Sequence, residues 1–306
     1  MKLKDDFYEN GFVIVKKLIP NILIDNILQS LEEFKKENRY YFTQSMHNWV
    51  RSNNLTEEGY LIESIQTPTK QFIGKLNNHI KDLITCKEIS EKLHEISDYK
   101  YFINWQNMLF DKSTGTTDHS DTWYLDTIPK GKMIASWIAL EDINKDSGRF
   151  FVCPKSHTFD IHKTYEQVCE SDHYEYAQFV LKFVEKENIK RYAPALKKGD
   201  VLFWHPFTIH GSFNQKDSVY SRKSITAHYH PVGMGRKNAD SPKDILNCIK
   251  KMKKSKNPFI YFDNIDPPDF QLKYILFPKY ILKKLIPSRK KFNYEMSRNF
   301  FNSKRE

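Results

Sequence analysis

The sequence predicts a mainly β fold, an antiparallel sandwich or barrel with flanking helices, behind a helical N-terminal region. From Tyr99 onward the chain consists of short segments rich in aromatic and β-branched residues, which turn signals such as Pro129-Lys130-Gly131 and Lys198-Gly199-Asp200 separate. The one helical pattern among these segments runs from about Tyr174 to Glu187. Short strands without long helices between them favour antiparallel pairing over a parallel sheet.

The first hundred residues are predicted to be mostly helical. Residues 12–16 (FVIVK) form a short strand, and the apolar spacing from Ile22 to Phe34 predicts an amphipathic helix of about four turns. No clear period runs through 40–59, which is predicted to be loop. Further helices are predicted at about 69–84 and 89–96.

The predicted β-strands occupy the middle of the chain, and they define the predicted domain limits. They lie within 99–110, 132–140, 148–154, 199–205, 208–213 and 222–230. We therefore expect one domain over 1–230, with a helical part of about 1–98 and a β core of about 99–230. Residues 231–306 are expected to form a basic extension that packs on the core or follows it.

The charge of the chain is concentrated in this extension. The chain has 306 residues, 48 of them Lys or Arg and 38 Asp or Glu, and a formal net charge of +10. Residues 231–306 contain 18 basic and 7 acidic residues, which leaves 30 basic and 31 acidic residues in 1–230. Because residues 1–230 are nearly neutral, we expect no nucleic-acid partner there.

The hydropathy of the chain and the spacing of its cysteines predict where in the cell the protein is located. The mean hydropathy is −0.65, and no apolar stretch approaches the roughly 20 residues that span a bilayer. Asp5, Asp6 and Glu9 stand where a secretory signal needs apolar residues. The four cysteines form no CxxC pair, which argues against a disulfide framework or a structural zinc site. A cytoplasmic protein is therefore expected.

The main chemical motif is His119-Ser120-Asp121. In an extended chain, residues two apart point to the same side, so one imidazole and one carboxylate can reach the same ion. His210 is the best candidate for a third ligand, although His205, His228 and His230 stay open as rivals. Two imidazoles and one carboxylate form the ligand set of non-haem Fe(II) oxygenases.

A second group of residues suits a dicarboxylate co-substrate. Arg222 follows His210 by twelve positions, and its planar guanidinium can bind a carboxylate through two hydrogen bonds. Because 2-oxoglutarate has a carboxylate far from its metal-chelating end, Arg222 is predicted to bind it, with Ser212 as a second donor. Aromatic residues close to the HxD motif are predicted to line a pocket. They are Trp123, Tyr124 and Trp137.

The chain resembles the phytanoyl-CoA dioxygenase family of Fe(II)- and 2-oxoglutarate-dependent oxygenases, from Met1 to about Pro231. The segments that carry this resemblance occur in the family's order. They are the N-terminal FYENGFVIVKKLIP, His119-Ser120-Asp121, 136–142, 147–157, Gly199-Asp200, His210-Gly211-Ser212 and Arg222. One departure is Lys155, where the family usually has Gly.

The resemblance implies a double-stranded β-helix, a jelly roll of the cupin type. It also implies iron held by His119, Asp121 and His210, and 2-oxoglutarate held by Arg222 and Ser212. Trp137 falls in the family's tryptophan-containing strand beside the co-substrate, and Gln106 is added to the expected co-substrate contacts. Trp123 and Tyr124 are the expected substrate contacts.

The implied reaction is hydroxylation of an unactivated C–H bond of a small molecule, with O2 consumed and succinate and CO2 released. Lipid or acyl compounds, amino-acid-like compounds and secondary metabolites are all open as substrates, and the oligomeric state is open. The basic extension is either a solvated amphipathic helix or a contact for an anionic membrane or a phosphate-bearing substrate. The rival functions are a nucleic-acid- or protein-directed oxygenase of the same superfamily and a non-catalytic β-barrel binding protein.

Overall fold

Six helices and eleven strands make up the described part of the chain. The computed structural model describes residues 3–37, 40–43, 49–51, 54–71, 73–123, 125–161, 173–235, 241–253 and 257–262. The helices are α1 (Leu3–Asn10), α2 (Asn21–Lys36), α3 (Leu76–Ile84), α4 (Lys87–Ser97), α5 (His173–Lys186) and α6 (Pro242–Met252). The strands are β1 (Phe12–Val15), β2 (Tyr40–Phe42), β3 (Trp49–Arg51), β4 (Ile65–Gln66), β5 (Phe102–Phe110), β6 (Ile134–Ala139), β7 (Phe150–Val152), β8 (Val201–Trp204), β9 (His210–Ser212), β10 (Ser224–Pro231) and β11 (Ile260–Phe262).

A large sheet of seven strands forms one side of the β core. Its order is β1-β8-β6-β10-β5-β11, and β4 also pairs with β5. All pairs are antiparallel except β11, which runs parallel to β5. The predicted antiparallel β core is therefore confirmed, and part of the C-terminal extension lengthens its sheet. The division into a domain and an extension stays a prediction.

A small sheet faces the large one. It consists of β7 and β9, and single bridges add Tyr192 beside Val152 and His119 beside His210. Two facing sheets linked in this way form the jelly roll that the family resemblance implies.

Three apolar clusters separate the layers. Helices α2, α3 and α4 pack on the outer face of the large sheet, the second cluster fills the space between the two sheets, and α5 packs on the outer face of the small sheet. Strand β10 shows how the layers are specified. Ile225, Ala227 and Tyr229 lie in the cluster under the helices, so the alternate residues Thr226 and His228 face the interior of the β core.

Two N-terminal predictions differ from the structure. Residues 40–59 contain the short pair β2 and β3 instead of loop alone, because three-residue strands are too short to show a period. The helix predicted from about 69 begins at Leu76, since Pro68–Lys70 forms a single 3-10 turn and Gly74 adopts a φ of 68° that a helix cannot continue. Helix α1 was not predicted, because Phe7 is its only buried residue.

No helix among the described residues has the length and apolar character needed to cross a bilayer.

Candidate metal centre and co-substrate site

His119 and His210 lie side by side at one end of the small sheet. Their backbones form an antiparallel bridge, in which His119 N donates to His210 O at 3.0 Å and His210 N donates to His119 O at 2.8 Å. The centroids of the two imidazoles are 4.3 Å apart. The bridge therefore places two metal-ligating side chains next to each other before any ion is present.

Each of these histidines has its Nδ1 bonded in the same way. His119 Nδ1 lies 2.8 Å from Thr117 O, and His210 Nδ1 lies 2.9 Å from Thr208 O. A carbonyl can only accept, so each Nδ1 carries a proton, and in the neutral imidazole Nε2 then keeps a lone pair. This is the tautomer that a metal ligand requires.

Asp121 completes the cluster. It begins a 3-10 turn (Asp121–Trp123), and Asp121 Oδ1 lies 3.7 Å from His210 Nε2 and 4.0 Å from His119 Nε2. One ligand atom from each of these three residues lies within 4.8 Å of the others. Two neutral imidazoles and one carboxylate at this spacing fit a divalent iron ion.

The protonation states also suit a metal. Burial alone would raise the pKa of Asp121, but His210, His228 and His119 outweigh it and hold the pKa of this carboxyl below its usual range. Burial lowers the pKa of His210, and the neighbouring Asp121 only partly opposes this effect. At neutral pH the site therefore offers an ionised carboxylate and a neutral His210 imidazole.

Helix α5 and the segment after it hold the HxD motif from outside. Tyr176 Oη accepts from Ser120 N at 3.1 Å and donates to Ser120 O at 3.3 Å. Asp118 accepts two hydrogen bonds from Arg191, from Nε at 2.7 Å and from Nη2 at 3.1 Å. Residues on both sides of His119 are thus fixed to a layer outside the β core.

Arg222 is a buried cation whose side chain has unsatisfied donors. It is 1% exposed, and neither its Nε nor its Nη1 has a hydrogen-bond partner among the described residues. Its guanidinium carbon lies 5.2 Å from the centroid of the Phe110 ring and 5.8 Å from that of Trp137. A buried, unpaired guanidinium is costly, so the geometry is that of a receptor for an anion.

A row of aromatic rings connects Arg222 with the metal cluster. Trp137 contacts Arg222 on one side and stacks on Phe150 at 5.7 Å on the other, and the Phe150 ring lies 5.7 Å from that of His210. Trp137 and Phe150 belong to the apolar cluster between the two sheets. His210 pairs with Val152 of the same cluster, so its side chain faces this interior too. The predicted ligands and the predicted anion receptor therefore line one interior.

The remaining predicted residues have different surroundings. Ser212 lies on β9 on the same face as His210, and its Oγ accepts from Thr116 N at 2.9 Å. Gln106 is buried, pairs with His228 across the strands, and its Oε1 has no partner among the described residues. Trp123 stacks on Tyr176 at 6.1 Å in the cluster outside the small sheet, and Tyr124 lies outside the described residues.

The three histidines that were alternative third ligands have other contacts. His205 Nδ1 accepts from Phe207 N at 3.2 Å, and His230 Nε2 lies 2.7 Å from Leu125 O. His228 lies close to the cluster, with its Nε2 3.6 Å from Asp121 Oδ2 and its Nδ1 3.3 Å from Gln106 O. Sequence reasoning did not single out Trp204, whose Nε1 donates to Asp121 Oδ2 at 2.9 Å.

A sequence profile of the family described as Phytanoyl-CoA dioxygenase (PhyH) matches residues 7–224. This chain belongs to the phytanoyl-CoA dioxygenase family. The matched segment contains all three clustered residues and Arg222. The family resemblance predicted from the sequence is therefore confirmed, together with the enzyme class and the cofactors iron and 2-oxoglutarate that this family uses.

Relatives with curated descriptions agree with this assignment. The human protein described as phytanoyl-CoA dioxygenase, peroxisomal, is 26% identical over 246 residues, which cover 73% of this chain and 66% of the human protein. The bovine protein of the same description is 22% identical over 273 residues, covering 80% of this chain and 74% of its own length. The match thus spans just under two thirds of the human protein's length.

Solved structures share the fold of this family member. The epimerase SnoN, in complex with Fe3+, alpha ketoglutarate and nogalamycin RO, has a TM-score of 0.54 at 16% identity and covers 76% of this chain and 83% of its own. EctD from S. alaskensis, with 2-oxoglutarate and 5-hydroxyectoine, has a TM-score of 0.52 at 14% identity and covers 78% of this chain and 80% of its own. The likeness confirms the predicted jelly-roll fold class.

Proposed function

We propose that this chain hydroxylates a C–H bond of a small-molecule substrate, with iron held by His119, Asp121 and His210 and 2-oxoglutarate held by Arg222. The observation that carries the proposal is that a ready-made three-ligand cluster and an unpaired buried guanidinium line the same interior. When bound, iron, 2-oxoglutarate and O2 together supply an oxidant that inserts oxygen into a C–H bond, with release of succinate and CO2.

The protein's own contribution is to bind, orient and exclude water. The carbonyls of Thr117 and Thr208 hold the two imidazoles with Nε2 facing Asp121. Arg222 would neutralise the distal carboxylate of the co-substrate in a buried position, where an ion pair is stronger than at the surface. Trp137 and Phe150 form an apolar wall between the arginine and the ligands.

Ser212 and Gln106 are proposed as further contacts of the co-substrate. The Ser212 hydroxyl accepts from Thr116 N and still has a proton to donate. Gln106 is buried on the strand beside β10, and its side-chain amide nitrogen is the atom that could donate to a carboxylate. Trp123 and Tyr124 remain the proposed substrate contacts, and of the two only Trp123 lies within the described residues.

The substrate, the compartment and the basic extension also belong to the proposal. The residues of the cluster fit several small-molecule classes, since they recognise the co-substrate and not the group to be oxidised. A cytoplasmic location is our prediction, whereas the curated relatives are described as peroxisomal. Contact with an anionic membrane through the basic extension stays a prediction, and 263–306 lie outside the described residues.

Succinate release tests the proposed reaction. Purified protein with Fe(II), 2-oxoglutarate and O2 is supplied with fractions of a metabolite pool, and succinate formed above the substrate-free rate is measured. Asp121→Ala is the matched control, because it removes one proposed ligand, and its folding is checked by circular dichroism. We expect at least one fraction to increase succinate formation in the parent and none to do so in Asp121→Ala. Equal turnover in the variant would contradict the ligand assignment.

A further inference from the structure

The two carboxylate oxygens of Asp121 have different surroundings. Oδ1 faces the metal cluster, at 3.7 Å from His210 Nε2 and 4.0 Å from His119 Nε2. Oδ2 points away from it, accepts a hydrogen bond from Trp204 Nε1 at 2.9 Å, and lies 3.6 Å from His228 Nε2. Asp121 therefore presents one oxygen to the cluster while the other is held by the protein.

Trp204 is fixed in the position from which it donates. It lies on β8 between β1 and β6, is 1% exposed, and its ring contacts those of His210 at 4.9 Å and Phe150 at 5.2 Å. An indole N–H can only donate, and a buried donor without a partner is costly. The Trp204 N–H therefore stabilises the orientation in which Oδ2 faces it.

His228 packs against the same oxygen from β10. Its Nδ1 lies 3.3 Å from Gln106 O, which directs its Nε2 toward Asp121. The position of β10 is in turn set by pairing with both β5 and β6. Oδ2 is thus approached from two rigid strands of the large sheet.

The orientation of Asp121 matters for the co-substrate. A carboxylate that can turn freely is able to bind one cation through both oxygens, and the second oxygen then occupies a further coordination position. Of the six positions of an octahedral iron, three protein ligands leave three, and a 2-oxo acid that chelates through two atoms leaves one for O2. A second Asp121 oxygen would compete with the chelating acid and with O2 for these three positions, so a restrained Asp121 keeps all three open.

We propose that Trp204, supported by His228, is a positioning residue that restricts Asp121 to one metal-facing oxygen and thereby maintains affinity for 2-oxoglutarate. This inference rests on the proposed function, because it assumes that Asp121 is an iron ligand. Trp204 acts through Asp121. Its substitution should therefore lower the affinity for 2-oxoglutarate more than the substitution of a tryptophan that has only a structural role.

Trp105 provides the matched control. It lies in the same apolar cluster as Trp204, is 7% exposed, and stacks on His230 at 5.3 Å. Trp204→Phe and Trp105→Phe each replace a buried indole in this cluster by a phenyl ring. Trp204→Phe also removes the hydrogen bond to Asp121.

The test measures 2-oxoglutarate binding to the Fe(II)-loaded protein without O2, through the charge-transfer absorption of the complex. In Trp204→Phe we expect the Kd for 2-oxoglutarate to rise by about 10-fold or more, within the usual range for groups that orient metal ligands. In Trp105→Phe we expect the Kd to stay within about 2-fold of the parent, as for a site outside this network. Equal Kd values in the two variants would overturn the inference.

A second pair decides the question if Trp204→Phe fails to fold. His228→Leu removes the other group beside Oδ2, and His230→Leu changes an equally buried histidine two residues further along the same face. We expect weaker 2-oxoglutarate binding in His228→Leu only, and equal effects would overturn the inference. If the parent itself does not bind 2-oxoglutarate, the proposed function fails. If the parent, Trp204→Phe and His228→Leu all bind 2-oxoglutarate equally well, the proposed function stands and only this inference fails.

Discussion

His119 and His210, which are 91 residues apart in the chain, are joined by two backbone hydrogen bonds of 3.0 and 2.8 Å in an isolated antiparallel bridge. The bridge continues at Ser212 N, which donates to Thr116 O at 2.9 Å. The spacing of the His119 and His210 side chains therefore depends on how closely the chain segment before His119 approaches β9.

Gly211→Ala should separate these strands. A Cβ at Gly211 would lie 2.7 Å from Thr116 O and 2.7 Å from Phe151 Cζ, so the backbone that leads to His119 must shift. We expect a loss of about 1–3 kcal/mol in the free energy of unfolding, typical of overpacking. We also expect weaker Fe(II) binding, measured by anaerobic titration.

Gly59→Ala is the control for that substitution. Its φ of 84° makes alanine unfavourable, but nothing lies within 4 Å of the added carbon. It should lose about 1–2 kcal/mol of stability through backbone strain and keep its Fe(II) affinity. Unchanged Fe(II) affinity in Gly211→Ala would show that the bridge does not set the spacing of the ligands.

Tyr176→Phe should weaken the hold of α5 on the HxD motif. The hydroxyl of Tyr176 bonds the backbone of Ser120 on both its N–H and its carbonyl, and the substitution leaves these buried groups without that partner. We expect a loss of about 1–3 kcal/mol in stability and a measurable loss of Fe(II) affinity. Tyr192→Phe serves as the comparison, because Tyr192 is 42% exposed. A stability loss without any change in Fe(II) affinity would limit Tyr176 to a structural role.

Arg222→Met should stabilise the protein without ligands and abolish its binding of 2-oxoglutarate. The guanidinium is buried among Phe110 and Trp137, and methionine fills similar space without a charge. We expect the free energy of unfolding to rise by about 1–4 kcal/mol, as when buried ionic groups give way to apolar ones. Calorimetry with 2-oxoglutarate checks the second part. Retained binding would exclude Arg222 as the carboxylate receptor.

The stability gain in Arg222→Met should also depend on pH. Burial lowers the pKa of Arg222 to about 9, below its value in the unfolded chain. Below this pKa both states are protonated, so the destabilisation by Arg222 is complete and constant. Above it the folded state releases the proton, and the destabilisation decreases as pH rises. Urea unfolding at neutral pH and at about pH 10 should therefore show a smaller difference between variant and parent at the higher pH. A difference that grew with pH would contradict burial as the cause.

The sequence was sufficient for β1 and for the strands from β5 to β10, for the three clustered residues and for Arg222. The HxD spacing, His210 and Arg222 are features of single short segments, so their types and order already indicate the chemistry. The positive φ of Lys155, 64°, also explains why a glycine is usual at that place in the family resemblance. The three clustered residues and Arg222 can thus be chosen from the sequence alone, and their roles as ligands and co-substrate contact stay predictions.

The groups around the cluster could not be predicted in the same way. Trp204 and Asp121 are 83 residues apart, and Tyr176 and Ser120 are 56 apart. A tryptophan in a β-strand and a tyrosine on an amphipathic helix both have the pattern of ordinary core residues. Their contacts with the motif become visible only when the jelly roll brings these distant segments together.

The most direct test of the central claim is an anaerobic titration of 2-oxoglutarate into the Fe(II)-loaded protein, followed by its charge-transfer absorption. We expect saturable binding of one 2-oxoglutarate per chain in the parent, with the absorption lost in Asp121→Ala and in Arg222→Met. A folded, iron-loaded parent that shows neither binding nor absorption would contradict the account.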